Sequence, residues 1–392
     1  MRVLHMVGTV SPQAGGPTEV IRMLIRNAPP GYASELVTLD DPAAPFIREL
    51  PFPVHALGSR HKRWFHRALI GWLRANRDRF DGMIVHGLWD FTGLATWLAH
   101  GNVPYLLFPH GVLDPYFKNA APVKHLKKWL YWLCAGFWIM RAADRVLFTT
   151  ATERDLARHS FWPNQWRSTV VPLGSEPPPR DPDSLRSAFQ AVCPDVQGRR
   201  FVLFLGRIDE KKGCDLLVRA FARICHANSA VHLVMAGPDP LDWRRKLEPL
   251  LTEAGCADRV HWPGMLCGDA KWGAFAACEA FVLPSHQENF GIAVVEALAS
   301  SRPVLLTRTV NIASDLGASG CALIEPDTQE GVSRLLTRWL ELAAGEREAM
   351  AVRAHDAFLD RYDMRRNAEL TLRIFEQLPA RDHQANPLPE AR

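Results

Sequence analysis

The stretch AFVLPSHQENFGIAVVEALA, Ala280 to Ala299, passes from a short apolar run through a turn into a helical pattern. Ala280 to Pro284 has the length and composition of a buried strand, closed by a Pro-Ser turn signal. After the turn, Ile292, Val295, Leu298 and Ala299 follow helical spacing, and Asn289 is placed to serve as the N-cap. A helix starting here offers unpaired N–H groups and the positive end of its dipole, and Gly291 lets a ligand come close to the backbone. The architecture therefore suits a phosphorylated anion. Glu288 stands at the mouth of this turn and Glu296 two turns inside the helix. Two glutamates at such spacing arise about once by chance in a chain of this length, so the strand before, the NFG between and the EALA after carry the signal.

Working outward, the same strand-to-helix punctuation recurs. In the first half the runs are RVLHMVG (2–8), GMIVHG (82–87), PYLLFPHG (104–111), RVLFTT (145–150) and TVVPLG (169–174), with helical segments from Pro17, near Phe91 and after residue 111. In the second half they are RFVLFLGRID (200–209), AVHLVMAG (230–237), RVHWPG (259–264), AFVLP (280–284), PVLLT (303–307) and CALIEP (321–326). Short, β-branched runs nearly free of polar residues belong to parallel sheets covered by helices on both faces. The expectation is an α/β chain of two doubly wound, Rossmann-like domains: 1–176, then a proline-rich linker at 177–198, then 199–360. Residues 361–380 read as a helix returning to the first domain, and 381–392, polar and proline-bearing, as a disordered tail. Ligands of such folds lie at the carboxyl ends of the strands, here expected in the cleft between the domains.

With 392 residues and 47% hydrophobic content the chain can bury two cores. A net charge of +4 is too small to point to nucleic acid. The eight cysteines show no CxxC or metal-ligand spacing and are expected as buried free thiols in a reducing cytoplasm. MRVLHMVG lacks the apolar core of a signal peptide, and no run is long enough to span a bilayer, which places the protein in the cytosol.

Four further features can carry chemistry. FLGRIDEKKG sends a strand into a loop with Arg207 and Lys212, a bidentate fork and a mobile point charge suited to phosphate oxygens. Asp209, Glu210 and Lys211 equally allow a solvated charged turn. SPQAGGPTE places Gly15 and Gly16 between the first strand and a helix; it is no GxGxxG fingerprint, so it reads as a close approach to phosphate or sugar, or as a tight turn. His86 and His110 each end a strand and precede a glycine, a position that aims them at a ligand; both could also be structural histidines. Asp114 can orient an acceptor or cap the next helix. Asp181-Pro182-Asp183 spells a DxD, but it lies in the proline linker, and no other His/Asp/Glu group has ligand spacing. No catalytic metal is expected. Residues 118–141, apolar and aromatic with Lys124, Lys127, Lys128 and Arg141, read either as a helix packed on the fold or as one lying on an anionic membrane surface.

Taken together, GRIDEKKG, AGPD, HQENFGIAVVEALA and RPVLLT resemble the retaining glycosyltransferases of family 4, which have the two-domain GT-B fold. The resemblance runs from the GG loop to the C-terminal helices, and HGLWD and PHGVLDP are similar to members acting in bacterial polysaccharide assembly. It implies metal-independent transfer of a hexosyl group from a nucleoside diphosphate sugar to a hydroxyl on a saccharide or lipid-linked acceptor, with no separate cofactor and no nucleic acid. On that basis Arg207 and Lys212 would hold the donor diphosphate, Glu288 the donor-sugar hydroxyls and Glu296 the ribose. Gly16, the backbone of Asn289, Phe290 and Gly291, and His110 would complete the site, with His86 and Asp114 nearby. The enzyme would be cytoplasmic or peripheral on the inner membrane. Ser301 stands where the family often has glycine, TVNIASD replaces its small-residue turn, and Glu176 falls where an Asn-Gly turn is common. A sugar-nucleotide epimerase on the same fold, or a non-catalytic binding subunit, remains the alternative.

Overall fold

A computed structural model describes residues 1–12, 15–58, 67–116, 118, 122–226 and 230–379. The chain divides into two compact units, Met1–Val171 with Arg365 onward, and Pro172–Met364.

The first unit is built on a seven-stranded, wholly parallel sheet: β1 (Arg2–Val7), β2 (Ala33–Thr38), β3 (Val54–Ala56), β4 (Gly82–His86), β5 (Tyr105–Phe108), β6 (Arg145–Phe148) and β7 (Ser168–Val170), in the order β3-β2-β1-β4-β5-β6-β7. Leu4, Met6, Met83, Val85, Leu107 and Phe148 lie buried in its main core with Trp132 and Ile139 from the covering helices. Phe375 closes on β4 at Gly82, where an added Cβ would lie 2.5 Å from its ring, so the C-terminal residues are part of this unit's packing.

The second unit holds a six-stranded parallel sheet: β8 (Arg200–Leu205), β9 (Val231–Ala236), β10 (Val260–Gly264), β11 (Ala280–Leu283), β12 (Val304–Thr307) and β13 (Ala322–Glu325), in the order β10-β9-β8-β11-β12-β13. Strand order reverses between β1 and β4 in one sheet and between β8 and β11 in the other. In doubly wound sheets such a reversal is the switch point at which ligands bind.

Two expectations about the chain's organisation are corrected. The segment 177–198 is not a bare linker: Pro182–Val192 is a helix, with Pro182 in its first turn and the Asp181 carboxylate accepting the Ser184 N–H at 2.9 Å. Its Leu185 and Phe189 are buried against the helix Gly268–Ala277, where Gly273 allows near-contact of backbones; a Cβ there would meet the Leu185 carbonyl at 2.0 Å. The DxD aspartate is thus a helix cap. The division between units falls at Val171/Pro172 rather than after 176, because Ser175 and Tyr362–Met364 form a parallel bridge with N–H donations at 3.0 Å in both directions. The tail 381–392 lies outside the described residues.

Candidate functional site

In the second unit the loops after β8 and β11 meet at the switch point. Asp209 shapes the first: its Oδ1 accepts the Lys212 N–H at 3.0 Å, capping the single turn Glu210–Lys212, while its other oxygen pairs with Arg207 Nε at 2.5 Å. Gly213 then turns back with φ 66° and lies against Pro284 of the second loop; a Cβ would sit 2.1 Å from the Pro284 carbonyl oxygen. The His286 N–H donates to the Lys211 carbonyl at 2.9 Å and stitches the loops together. Across this seam the Lys212 ammonium forms an ion pair with the Glu288 carboxylate, both side chains largely shielded.

The loop after β12 holds Glu288 from behind. The Glu288 N–H donates to Thr309, the Asn311 N–H donates back to the Glu288 carbonyl, and the Thr307 and Thr309 hydroxyls both donate to the Ser285 carbonyl. TVNIASD, the departure from the family pattern, is therefore the brace of the candidate sugar-binding glutamate. The helix begins at Ile292 and runs to Ala299, and its N-cap is Gly291, in the left-handed region at φ 76°, rather than Asn289. Asn289 instead has its side-chain oxygen 3.4 Å from the Asn311 amide. A left-handed cap suits glycine, and it leaves the first N–H groups of the helix without a side-chain cap, facing the Glu288 turn. Phe290 is buried against Tyr362 and anchors the turn. Inside the helix Glu296, only 4% exposed, is paired with Lys271 at 2.6 Å. Lys271 carried no sequence signal, since one lysine on a short helix is the commonest of surface residues.

The first unit brings His86 and His110 together and adds a third histidine that the sequence did not single out. His5 Nδ1 lies 3.1 Å from His86 Nε2, and His86 Nδ1 lies 3.0 Å from His110 Nε2, the ring planes within 10° and 13° of parallel. Phe108 stacks on both His86 and His110. Burial disfavours the imidazolium throughout: His5 is pushed down to about 3 and His110 to about 4, and His86, with the added repulsion of its two neighbours, falls well below the ordinary histidine value. His86 is thus a buried link, 2% exposed, and not a residue aimed at a ligand. His110 keeps the outer place, held at φ 53° in a turn whose next N–H, that of Gly111, donates to Glu153 at 2.6 Å. Glu153 also accepts from the Thr149 N–H and hydroxyl, so one buried carboxylate ties the ends of β5 and β6 together. With Nε2 committed to His86, only Nδ1 of His110 is left for a ligand. Asp114 accepts the Tyr116 N–H at 2.8 Å and caps the turn after His110. Gly16 opens the helix Gly16–Arg26, with Gly15 at φ 79° as its N-cap.

Among the described residues no three His, Cys, Asp or Glu side chains converge as metal ligands, and all eight cysteines are free, Cys134 and Cys267 being exposed.

Each unit is thus a nucleotide-type α/β fold, and the second presents cations, a carboxylate and a helix start at its switch point. Residues 189–356 match the family model of group 1 glycosyl transferases, and residues 15–174 match the glycosyl transferase 4-like domain. The chain belongs to these glycosyltransferases of GT-B fold. It is similar to a D-inositol 3-phosphate glycosyltransferase of Nocardia farcinica, 26% identical over 289 residues, covering 72% of this chain and 56% of that protein. Across the first such relatives the matches span about half to two thirds of the relative's length. Among solved structures it resembles sucrose-phosphate synthase from Thermosynechococcus elongatus (TM-score 0.72, 19% identity, 96% of this chain and 99% of the other). It also resembles Anabaena HepE in complex with UDP and glucose (TM-score 0.75, 16% identity, 96% and 100%).

Proposed function

We propose that the protein is a retaining hexosyltransferase that moves a sugar from a nucleoside diphosphate donor to a hydroxyl of a saccharide or lipid-linked acceptor. Its proposed role is cell-surface polysaccharide or lipopolysaccharide synthesis at the cytoplasmic face of the membrane. The observation that carries this is the Lys212–Glu288 pair at the switch point, braced by three loops and facing the start of the helix Ile292–Ala299.

In the proposed reaction the donor diphosphate competes with Glu288 for Lys212 and meets the guanidinium of Arg207. The freed Glu288 carboxylate accepts hydrogen bonds from donor-sugar hydroxyls, and Glu296, fixed by Lys271, accepts those of the ribose. As the bond from the anomeric carbon to the diphosphate oxygen breaks, negative charge grows on the leaving group. Lys212, Arg207 and the backbone N–H groups of the turn and helix start at Asn289–Ile292 meet it, so no divalent cation is assigned a part. The acceptor oxygen bonds to the same face of the anomeric carbon, and its proton passes to the departing phosphate. His110, neutral and with Nε2 held by His86, hydrogen-bonds a sugar hydroxyl through Nδ1 rather than exchanging a proton. UDP-sugars are the first donors to test, since a neighbour of the same fold holds UDP and glucose.

The test is product analysis with sugar nucleotides and a cell-derived acceptor mixture in the presence of EDTA. A new glycoside of retained anomeric configuration is expected, with turnover falling about 100- to 1,000-fold in Lys212→Ala. An epimerised sugar nucleotide without glycoside would instead make the protein an epimerase, and no donor turnover at all a binding subunit.

A further inference from the structure

The segment 115–143 of the first unit contains no aspartate or glutamate but five cations, Lys118, Lys124, Lys127, Lys128 and Arg141. Its helix, Pro122–Tyr131, packs through Lys128 on Trp89, which follows β4 and donates its indole N–H to the Val112 carbonyl just past His110 at 3.3 Å. The inward side is aromatic: His125 and Trp129, with Trp132 just beyond, all pack on Phe161. Lys128 also turns inward, its ammonium 4.4 Å from the Trp89 ring centre.

The outward side is where an ordinary surface helix would be polar, and here it is not. Val123, Leu126 and Leu130, at i, i+3 and i+7, are 71%, 71% and 69% exposed, and Leu133 continues the stripe. Lys124 and Lys127 flank it, and among the described residues neither forms an ion pair. A stripe of aliphatic side chains bordered by unpaired lysines has the pattern of an interfacial helix, in which leucines enter the acyl boundary while lysines reach the headgroups. A second copy of the chain fits this face poorly. A two-fold pairing would set the lysines of both copies against one another with no carboxylate in the segment to offset them.

We infer that this face docks the protein onto a bilayer rich in anionic phospholipid, with the end of the sheet that carries His110 turned toward the lipid. The docked surface would serve the lipid-linked acceptor proposed above, but its evidence is independent of that reading, and it is tested without any substrate. The experiment is co-flotation of the full chain with vesicles of phosphatidylcholine alone or mixed with phosphatidylglycerol. Expected is binding to the anionic vesicles only, weakened by salt. Lys124→Gln/Lys127→Gln should bind roughly 30-fold more weakly, from about 1 kcal/mol for each lysine near such a surface. Leu126→Asp/Leu130→Asp should lose binding while unfolding at the wild-type temperature, because both side chains are exposed. Absence of wild-type binding, or equal binding by both double variants, would overturn the inference. So would light scattering that shows a wild-type dimer dissolved by the leucine changes, since that would assign the face to a second copy.

Discussion

Acidifying the protein from pH 7.5 to 5 should remove a large part of the stability of the first unit, through His5, His86 and His110. Each histidine is neutral in the fold because burial lowers its proton affinity, His5 to about 3 and His110 to about 4 from an ordinary 6.5. The unfolded chain binds the proton below 6.5 while the folded one does not, so stability is complete above that value and falls as the pH drops toward the folded value. For His5 and His110 the loss between pH 7.5 and 5 is about 2 kcal/mol each, and His86 adds to it in the same direction. Carboxylates whose proton affinity is lowered in the fold, such as Glu35, held by His55 and Arg2, give up their contribution only below about pH 4.5 and do not confound this window. The assay is urea unfolding at half-unit intervals, following the intrinsic fluorescence of the first unit's tryptophans. His5→Phe, which keeps an aromatic ring beside His86, should shed about 1.4 kcal/mol per pH unit of the slope. A wild-type stability that stays flat to pH 5, or a His5→Phe slope equal to wild type, would refute a neutral histidine column and with it the non-titrating part given to His110.

Other expectations follow from the second unit. Gly213→Ala sets a methyl group against the Pro284 carbonyl in a left-handed turn; a loss of roughly 3 kcal/mol is expected by denaturant titration, with donor affinity falling too. Lys271→Met removes the cation paired with the buried Glu296 carboxylate and should cost about 3 kcal/mol, most of it regained in Lys271→Met/Glu296→Gln; absence of that recovery would mean the pair is not coupled. Glu288→Gln should reduce turnover by at least 100-fold at near-native stability, because its braces are backbone and threonine groups that the amide leaves in place.

Eleven of the strands were legible because each is a short apolar run with a turn signal at its end. β2 and β3 were not. ASELVT carries Ser34 and Glu35 in its first half, and VHA is three residues at the sheet edge, where one-sided burial relaxes the demand for apolar side chains. The proline cluster misled in the opposite direction: Pro182 begins a helix, and the Leu185 and Phe189 spacing was the signal to weigh against it. The placement of Lys212, Glu288 and Gly291 in loops that follow strands could be read from chain direction. Residues that act only through a distant partner could not: Lys271 for Glu296, His5 for His86, Glu153 for Gly111. Nothing local distinguishes such a residue from any other lysine, histidine or glutamate. Asn289 has the side-chain chemistry of a cap, whereas the backbone of Gly291 takes the left-handed turn and caps the helix without a side chain.

The proposed function requires the switch point between β8 and β11 to bind a nucleoside diphosphate through Lys212 and Glu296. Calorimetric titration of UDP, GDP and ADP into wild type, Lys212→Ala and Glu296→Gln tests it most directly. One diphosphate should bind wild type and raise its stability by about 2.7 kcal/mol at 100 times its Kd, with affinity at least tenfold weaker in each variant. Failure of all three to bind wild type, or a diphosphate that binds all three proteins equally, would contradict the account.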